Sequence, residues 1–479
     1  MDILKRSYRF IGAVSVILLC GCATPTISKN LLVMPFAETD NQFSQVRQAY
    51  TIGGKGADWG SDILCRDDRT GCVVFGYTIK SFGESTDMLA VKLLPSWQPV
   101  WAKTYGGTHK DVLFKTIATR DGGYLLLGES QSMFNTPLRA FSTSYPSPRP
   151  LLVKIDVSGN VQWARIVCCD SHGIYETTDG SFLVVGRLHR MQQNKTYKTD
   201  IILTKLAADG KAIWSKTYDL GHNDFSTTVT EAHDGGILIG GADQIAGADN
   251  DAFLLKLTAD GQPVWAKKYE CEKDQGVFSL IETDDTGWLV MGPHHESDQN
   301  KSIHLMSISS NGDVRWANAY NSSGYADTGI AMIRGYEHSY LIVGRSDGNK
   351  AAMTSEKDTK GAVLLVNEKG EVIASKHIAL STALMSAAKF GNGEYVVTGT
   401  YVGRTGGGPN SLFTAFWQPV LINKSGSPFA SVPIMLNAKS ITVTSGVWPS
   451  EDTFIQNLDV QDLQVTRDQA PTGVSSAVQ

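Results

Sequence analysis

Apolar residues in this chain come in short runs rich in Val, Ile, Leu, Tyr and Trp, and each run stops at a polar cluster carrying Asp, Asn, Ser or Gly. Two phrases alternate. The first is a polar turn, an apolar run and a closing glycine, as in "TRDGGYLLLG" (119–128), "DDRTGCVVFG" (67–76), "DGSFLVVG" (179–186), "DGGILIG" (234–240), "DDTGWLVMG" (284–292), "GYEHSYLIVG" (335–344) and "GNGEYVVTG" (391–399). The closing glycines are Gly76, Gly128, Gly186, Gly240, Gly292, Gly344 and Gly399, and successive copies lie about 52 to 58 residues apart, a spacing that signals a propeller or solenoid. The second phrase holds two apolar runs around a "DG", "NG", "SG" or "KG" turn, as in "DIILTKLAADGKAIWSKTY" (200–218) and "DAFLLKLTADGQPVWAKKY" (251–269).

Both phrases have the composition and punctuation of a β-hairpin, with glycine supplying the positive φ of a tight turn. Two hairpins per repeat make four strands in about 50 residues, the anatomy of one propeller blade. In the second repeat the strands are expected near Val112–Thr119, Tyr124–Glu129, Leu151–Asp156 and Val161–Val167. No long segment carries helical periodicity, so the expected class is all-β. The expected architecture is a seven-bladed β-propeller over residues 46–434, with eight blades as the alternative. The ends leave that alternative open: "QVRQAYTIGG" (45–54) echoes the last strand of a blade, "LLVMPF" (31–36) offers a strand before it, and the tail offers "SITVTS" and "FIQNLDV". An N-terminal strand completes the last blade in the first case, and both ends together build another in the second.

A tryptophan recurs four residues after the turn glycine of the second phrase, at Trp163, Trp214, Trp265 and Trp316; Trp101 fits the series although Trp97 stands where the glycine would be. A large flat side chain on an outer strand fills the wedge between neighbouring blades. These five tryptophans are therefore assigned to blade packing. Ala374 and Ala430 occupy the position in the last two repeats, so those joints are expected to pack differently. The phrase "WAKTYGG…D…TRDGGYLLLG" resembles the repeats of bacterial and archaeal secreted β-propeller proteins, and "LAADGKAIW" is similar to the tryptophan-docking repeats of quinoprotein-like propellers. The resemblance spans about residues 48–434. It implies architecture and leaves function open, because propellers host unrelated activities.

The first 21 residues place a basic head (Lys5, Arg6, Arg9) before an apolar stretch too short for a permanent membrane helix, the anatomy of a secretory signal. That stretch ends in Leu19-Cys20-Gly21-Cys22, which resembles the lipobox of bacterial lipoproteins, with Cys22 as the lipid-attachment residue. The resemblance implies a mature chain starting at Cys22, anchored by a thioether-linked lipid and an acylated amino group. Ala23 after it implies the outer membrane, facing the periplasm or the cell surface. Residues 22–45 then act as a tether, and residues 435–479 form a tail, partly disordered, with small polar residues from Arg467 onward.

Without the signal about 40 basic and 47 acidic residues remain, a balance that argues against nucleic acid or anionic lipid as a main partner. Membrane association is expected through the N-terminal lipid only. Of the five cysteines beyond Cys22, Cys65 and Cys72 flank a hairpin turn and are the candidate disulfide; Cys168, Cys169 and Cys271 stay unassigned.

Catalytic signatures are thin. There is no nucleophile elbow, H-E-x-x-H or P-loop, so catalytic, cofactor and metal residues are all expected to be none. His294 and His295 are adjacent and point to opposite faces of a strand, and "GADND" (247–251) reads as a turn without EF-hand spacing. Two inserted loops stand out. "SQSMFNTPLRAFSTSYPSPRP" (130–150) carries Phe134, Arg139, Phe141 and Tyr145, and "RLHRMQQNKTYKT" (187–199) carries Arg187, Arg190, Lys195 and Lys198. Both follow the second strand of a blade, in consecutive blades, and are expected on one propeller face as a binding surface for an envelope protein. The expected function is a non-catalytic protein-binding scaffold, in an envelope assembly or secretion apparatus. A carbohydrate-binding or adhesin-type surface lipoprotein is the alternative, and a quinoprotein dehydrogenase-like enzyme using vicinal Cys168-Cys169 is the second. Metabolic labelling with palmitate should mark the wild-type protein and leave Cys22→Ser unlabelled; label retained in that variant would exclude Cys22 as the anchor.

Overall fold

The computed structural model describes residues 31–35, 49–53, 58–66, 70–81, 85–132, 149–167, 169–191, 197–244, 250–270, 274–297, 300–322, 325–348, 359–378, 382–391, 393–401 and 411–417, followed by the strands 429–433, 437–440, 444–447, 453–454, 459–463 and 465–467. Among these residues every regular element is a strand, and the strands form seven sheets. Sheet 1 runs Asp58–Cys65, Cys72–Ser81, Ser85–Leu93, Pro99–Gly106, and sheet 2 runs Asp111–Ala118, Tyr124–Ser130, Arg149–Ile155, Val161–Ile166. Sheet 3 contains Asp170–Glu176, Phe182–Met191, Tyr197–Leu206 and Ala212–Asp219; sheet 4 contains Asn223–Glu231, Ile237–Gln244, Asn250–Leu257 and Pro263–Glu270. Sheet 5 opens with the short pieces Asp274–Gln275 and Ser279–Glu282, followed by Trp288–Ser297, Asn300–Ile308 and Val314–Ser322. Sheet 6 is Tyr325–Arg334, Ser339–Gly348, Thr359–Asn367 and Val372–Ile378, and sheet 7 begins with Thr382–Gly391, Glu394–Tyr401 and Ser411–Trp417. The four expected strands of the second repeat agree with sheet 2 to within two residues at each end.

Neighbouring sheets pack through the first strand of the later one. Asp111–Ala118 lies against sheet 1, Asp170–Glu176 against sheet 2, Asn223–Glu231 against sheet 3, Tyr325–Arg334 against sheet 5, Thr382–Gly391 against sheet 6 and Asp58–Cys65 against sheet 7. The result is a β-propeller of four-stranded antiparallel blades. First strands are innermost and fourth strands are at the rim.

The two repeated phrases have separate structural duties. In the first, Asp121 accepts hydrogen bonds from the Thr119 hydroxyl (2.6 Å) and the Gly123 N–H (3.0 Å), while Gly122 turns the chain at φ 89°. The Lys154 ammonium of the third strand then reaches Asp121 at 2.7 Å, and Lys205–Asp179 and Lys256–Asp234 repeat that pair in sheets 3 and 4, while in sheet 5 Arg315 of the fourth strand meets Asp285. Partial burial works to raise the Asp121 pKa, but the Lys154, Thr119 and Gly123 donors outweigh it and hold the group at about 2. The closing glycine answers to the inner strand. That strand bulges between Leu113 and Lys115, and a Cβ at Gly128 would stand 2.0 Å from the Val112 carbonyl oxygen; Gly344 faces the Thr328 carbonyl in the same way at 1.9 Å. Only a residue without Cβ lets the bulged carbonyl approach.

The second phrase joins one blade to the next. Trp101 packs on Gly159, Trp163 on Gly210, Trp214 on Gly261, Trp265 on Gly312 and Trp316 on Gly370, each tryptophan ring lying about 3 Å from where a Cβ of that glycine would stand. Four residues after the tryptophan a buried tyrosine donates to the carbonyl of that same glycine: Tyr105 to Gly159 (2.8 Å), Tyr218 to Gly261 (2.9 Å), Tyr269 to Gly312 (2.9 Å) and Tyr320 to Gly370 (2.6 Å). In sheet 2 Val167 takes the tyrosine position, and the Arg165 guanidinium donates to Gly210 (3.1 Å) instead. Where the tryptophan gives way to Ala374, the joint between sheets 6 and 7 is closed by Tyr336 and Tyr395, whose rings are 5.2 Å apart and whose hydroxyls bond the backbone N–H groups of Gly391 and Tyr336. Trp97, held at φ 62° in a turn of sheet 1, packs on Phe390 of sheet 7 at 5.8 Å.

At the N-terminal end a strand completes the last sheet, as expected from the echo in 45–54, while the C-terminal end departs from expectation in two places. The fourth place in sheet 7 is taken by Ala49–Gly53, which pairs antiparallel with Ser411–Trp417 and is followed outward by Leu31–Pro35. The segment around Ala430, expected as that fourth strand, instead pairs with the outer strand of sheet 5 as Phe429–Pro433. From there the chain runs backwards round the rim: Asn437–Ser440 joins sheet 4, Thr444–Val447 sheet 3, Thr453–Phe454 sheet 2 and Asp459–Leu463 sheet 1. Val465–Arg467 finishes parallel to Leu31–Pro35. Residues 437–467, expected as a tail beside the propeller, are thus partly built into its sheets. An open outer strand exposes unpaired N–H and C=O groups, which an extended segment satisfies with few demands on its side chains.

Trp163→Ala empties a buried wedge and should cost about 3 to 5 kcal/mol, whereas Tyr269→Phe removes one hydrogen bond and should cost about 1 kcal/mol. Urea unfolding of the two variants checks that order.

Candidate functional site

The alternation of strands gives the propeller two unlike faces. On one lie the links between first and second strands and between third and fourth strands, and nine of these are five residues long: 119–123, 177–181, 232–236, 283–287, 94–98, 156–160, 207–211, 258–262 and 309–313. Their polar groups are committed to one another round the circle. Arg66 donates to the Gly122 carbonyl, the Arg120 N–H to Glu176 (2.9 Å), the Thr178 N–H to Glu231 (2.7 Å) and the His233 N–H to Glu282 (3.0 Å). The exposed group Asp284, His338 and Glu368 belongs to this circuit, because the Arg334 guanidinium already holds Asp284 and the Glu282 carbonyl.

On the opposite face lie the links between second and third strands, and these range from two residues (298–299) to eighteen (131–148). The two inserted segments singled out in the sequence follow the second strands of adjacent sheets 2 and 3, and both open here. Phe134, Arg139, Phe141, Tyr145 and Lys195 lie outside the described residues. The segment 187–199, expected as a basic loop, is largely strand: Phe182–Met191 and Tyr197–Leu206 pair as far out as Met191 and Tyr197. Three of its cations, Arg187, Arg190 and Lys198, have partners of their own. Arg187 bonds the His172 ring (2.6 Å) and covers Phe225 at 5.3 Å; Arg190 pairs with Asp200 (2.8 Å) and donates to Thr217 (2.9 Å); Lys198 pairs with Asp219 (2.6 Å). Tyr197 of this hairpin is more than half exposed.

Two of these partners, Asp200 and Asp219, belong to a group that the sequence did not single out. Asp200, Asp219 and Asp224 come together at the joint between sheets 3 and 4, offering one oxygen each within 4.8 Å of the others. Asp224 is fully buried, accepts the Leu220 N–H at 2.8 Å, and has its pKa pushed up to about 8 by burial and then by the charges of Asp243, Asp219 and Asp200. Next along the rim Asp243 meets His222 (3.1 Å), and Lys268 sits between Asp243 and Asp251 (2.9 Å to Asp251). Asp251, read in the sequence as part of a turn, lies instead in the strand Asn250–Leu257 and is itself a partner of Lys268. His294 is also buried, with its ring 6.3 Å from that of His304, whose pKa burial lowers to about 3.

Cys65 and Cys72 are disulfide-bonded across the first hairpin of sheet 1, with Cα atoms 4.1 Å apart. Cys169, at φ 69°, is half of a second disulfide whose other half lies outside the described residues. Cys22 also lies outside them.

No protein-family model matches the chain, and no curated protein matches it. Among solved structures, a protein of unknown function from Dyadobacter fermentans is similar at 11% identity over 64% of this chain and 94% of that one, with a TM-score of 0.41. One from Bacteroides caccae gives 11% identity, 64% and 95% coverage and a TM-score of 0.38. The polysaccharide lyase Uly1 gives 10% identity, 75% and 90% coverage and a TM-score of 0.41. Likenesses of this size assign no activity to the chain.

Arg190→Met strips the buried Asp200 of its partner and should cost about 1 to 3 kcal/mol, against less than 1 kcal/mol for Lys198→Met, whose partner Asp219 is partly solvated. Chemical unfolding at neutral pH in the two variants measures the difference.

Proposed function

We propose that the chain is a lipid-anchored propeller of the outer membrane, with seven blades closed into one ring by Ala49–Gly53, that binds a protein partner of the envelope through the face bearing the unequal links. One observation carries this reading: link length varies from two to eighteen residues on that face, while the other face repeats five-residue turns tied to one another. A rigid frame that presents variable segments on one side is the arrangement by which propellers and other scaffolds place binding residues. The reading assigns binding to this face and no reaction.

The partner's chemistry follows from what the face offers. Arg190 and Lys198 of the sheet 3 hairpin are already paired with Asp200 and Asp219, so the proposed contact rests on the aromatic residues Phe134, Phe141, Tyr145 and Tyr197, with Arg139 and Lys195 as its cations. Aromatic anchors in a polar rim are the usual centre of a protein interface.

A photocrosslinker placed at Tyr197 should trap the partner in cells, and one at Val157, exposed on the opposite face, should not. Deleting Phe134–Ser147 should abolish the Tyr197 crosslink without changing the circular-dichroism spectrum. Equal trapping from both faces, or an undiminished crosslink after the deletion, would sink the proposal.

A further inference from the structure

The joint between sheets 3 and 4 differs from its counterparts in a way that points to a ligand. Three positions meet at such a joint: the start of a third strand, the end of the fourth strand, and the start of the next inner strand. Between sheets 1 and 2 they are Asp87, Gly106 and Asp111; between sheets 4 and 5 they are Asp251, Glu270 and Gln275; between sheets 5 and 6 they are Ser302, Asn321 and Asp327. Only between sheets 3 and 4 are all three carboxylates, as Asp200, Asp219 and Asp224. Sheet 4 carries Lys268 on its outer strand to neutralise its own acids, and sheet 3 has Thr217 at that position.

The hydrogen bonding leaves part of this group unused. Arg190 takes Oδ2 of Asp200, Lys198 takes Oδ2 of Asp219, the Gly221 N–H takes Oδ1 of Asp219 (2.7 Å) and the Leu220 N–H takes Oδ2 of Asp224. Oδ1 of Asp200 and Oδ1 of Asp224 are shut off from solvent without a hydrogen-bond partner, on residues only 2% and 0% exposed, and Oδ1 of neighbouring Asp243 is in the same state. A buried carboxylate oxygen without a donor is costly unless something positive meets it. Local charge has the same sign. Asp200, Asp219 and Asp224 are grouped together, Asp243 adds its charge to Asp224 and shares Lys268 with Asp251 and Glu270, and Arg190, Lys198 and Lys268 are the permanent cations that pair with these six acids among the described residues.

We propose that Asp200, Asp219 and Asp224 bind one calcium ion, which locks the joint between sheets 3 and 4 beneath the hairpin formed by Phe182–Met191 and Tyr197–Leu206. The ligands are all oxygens, and their mutual separation of up to 4.8 Å matches Ca–O bonds of about 2.3 to 2.6 Å on either side of an ion, with water completing the shell. Few and partly neutralised carboxylates place the affinity in the weak range of extracellular modules, on the order of 10⁻⁴ to 10⁻³ M. The ion would supply the positive charge that Thr217 does not.

Calorimetric titration of the chelator-washed mature protein with calcium chloride, alongside thermal unfolding, tests this. Wild type should bind one equivalent and unfold at a higher temperature with calcium than with chelator. Asp224→Asn should weaken binding at least about tenfold. Asp219→Gly, which copies Gly106 and so keeps a backbone the fold already uses, should do the same while retaining the wild-type circular-dichroism spectrum. No heat and no thermal shift up to about 10 mM calcium would overturn the site, since a proton shared between Asp200 and Asp224 would then satisfy the joint. Calcium binding undiminished in both variants would overturn the ligand assignment.

Discussion

Each blade is a small twisted sheet with two apolar faces, and neither face is covered until another blade lies against it. The contact that sets the angle and distance of that meeting is the seat of an outer-strand tryptophan on the turn glycine of the next sheet, with the following tyrosine hydroxyl bonded to that glycine's carbonyl. It fixes two things at once. The glycine must lack a Cβ for the indole to lie flat, and its positive φ aims the carbonyl at the tyrosine. Because the donor side chains sit on the fourth strand and the acceptor on the neighbour's third-to-fourth turn, the contact has a direction, and repeating it carries the chain round an axis. Joints that lose the tryptophan find other aromatics, Tyr336 with Tyr395 and Trp97 with Phe390, which indicates that filling the wedge matters more than the residue that fills it.

A second constraint follows from the first. With inner strands crowded at the axis and outer strands spread at the rim, each blade ends in an open edge. The molecule covers the edges of sheets 1 to 5 with one continuous C-terminal segment that runs against the order of the blades, and it completes sheet 7 with an N-terminal strand. Both chain ends thereby meet in sheet 7, where Val465–Arg467 lies beside Leu31–Pro35. Closure rests on backbone hydrogen bonds contributed from both ends of the sequence, so that, sheet 6 apart, no blade can leave the circle without breaking pairings made far away along the chain.

The same geometry divides the molecule's chemistry between its faces. Short turns of fixed length bring polar groups of adjacent blades into register, and they satisfy one another. Longer links have no such neighbour at fixed spacing, and acids placed at the starts and ends of strands beneath them converge without a regular counterion. Arg190 and Lys198 fill part of that need at the joint of sheets 3 and 4, at the expense of their availability to an outside partner. Their basic stretch looked like a solvated loop because proximity to Asp200 and Asp219 depends on the register of a hairpin and on the adjoining strand.

What the sequence determined by itself was local and repetitive. Asp121 to Gly123 as a turn, Tyr124 to Leu127 as a strand, four strands in about 50 residues, and the tryptophan as a packing residue all follow from patterns that recur within reach of a few residues. Only the tertiary structure gave the reason for Gly128, which is the carbonyl of a bulged strand pressing on it, and only it placed Phe429–Pro433 on sheet 5 and brought three aspartates together. Edge pairing is made by backbone groups that every residue carries, and a joint between blades is assembled from three strand ends separated by a hairpin and a turn. Neither leaves a periodic mark in the order of side chains, which is why each had to await the packed fold.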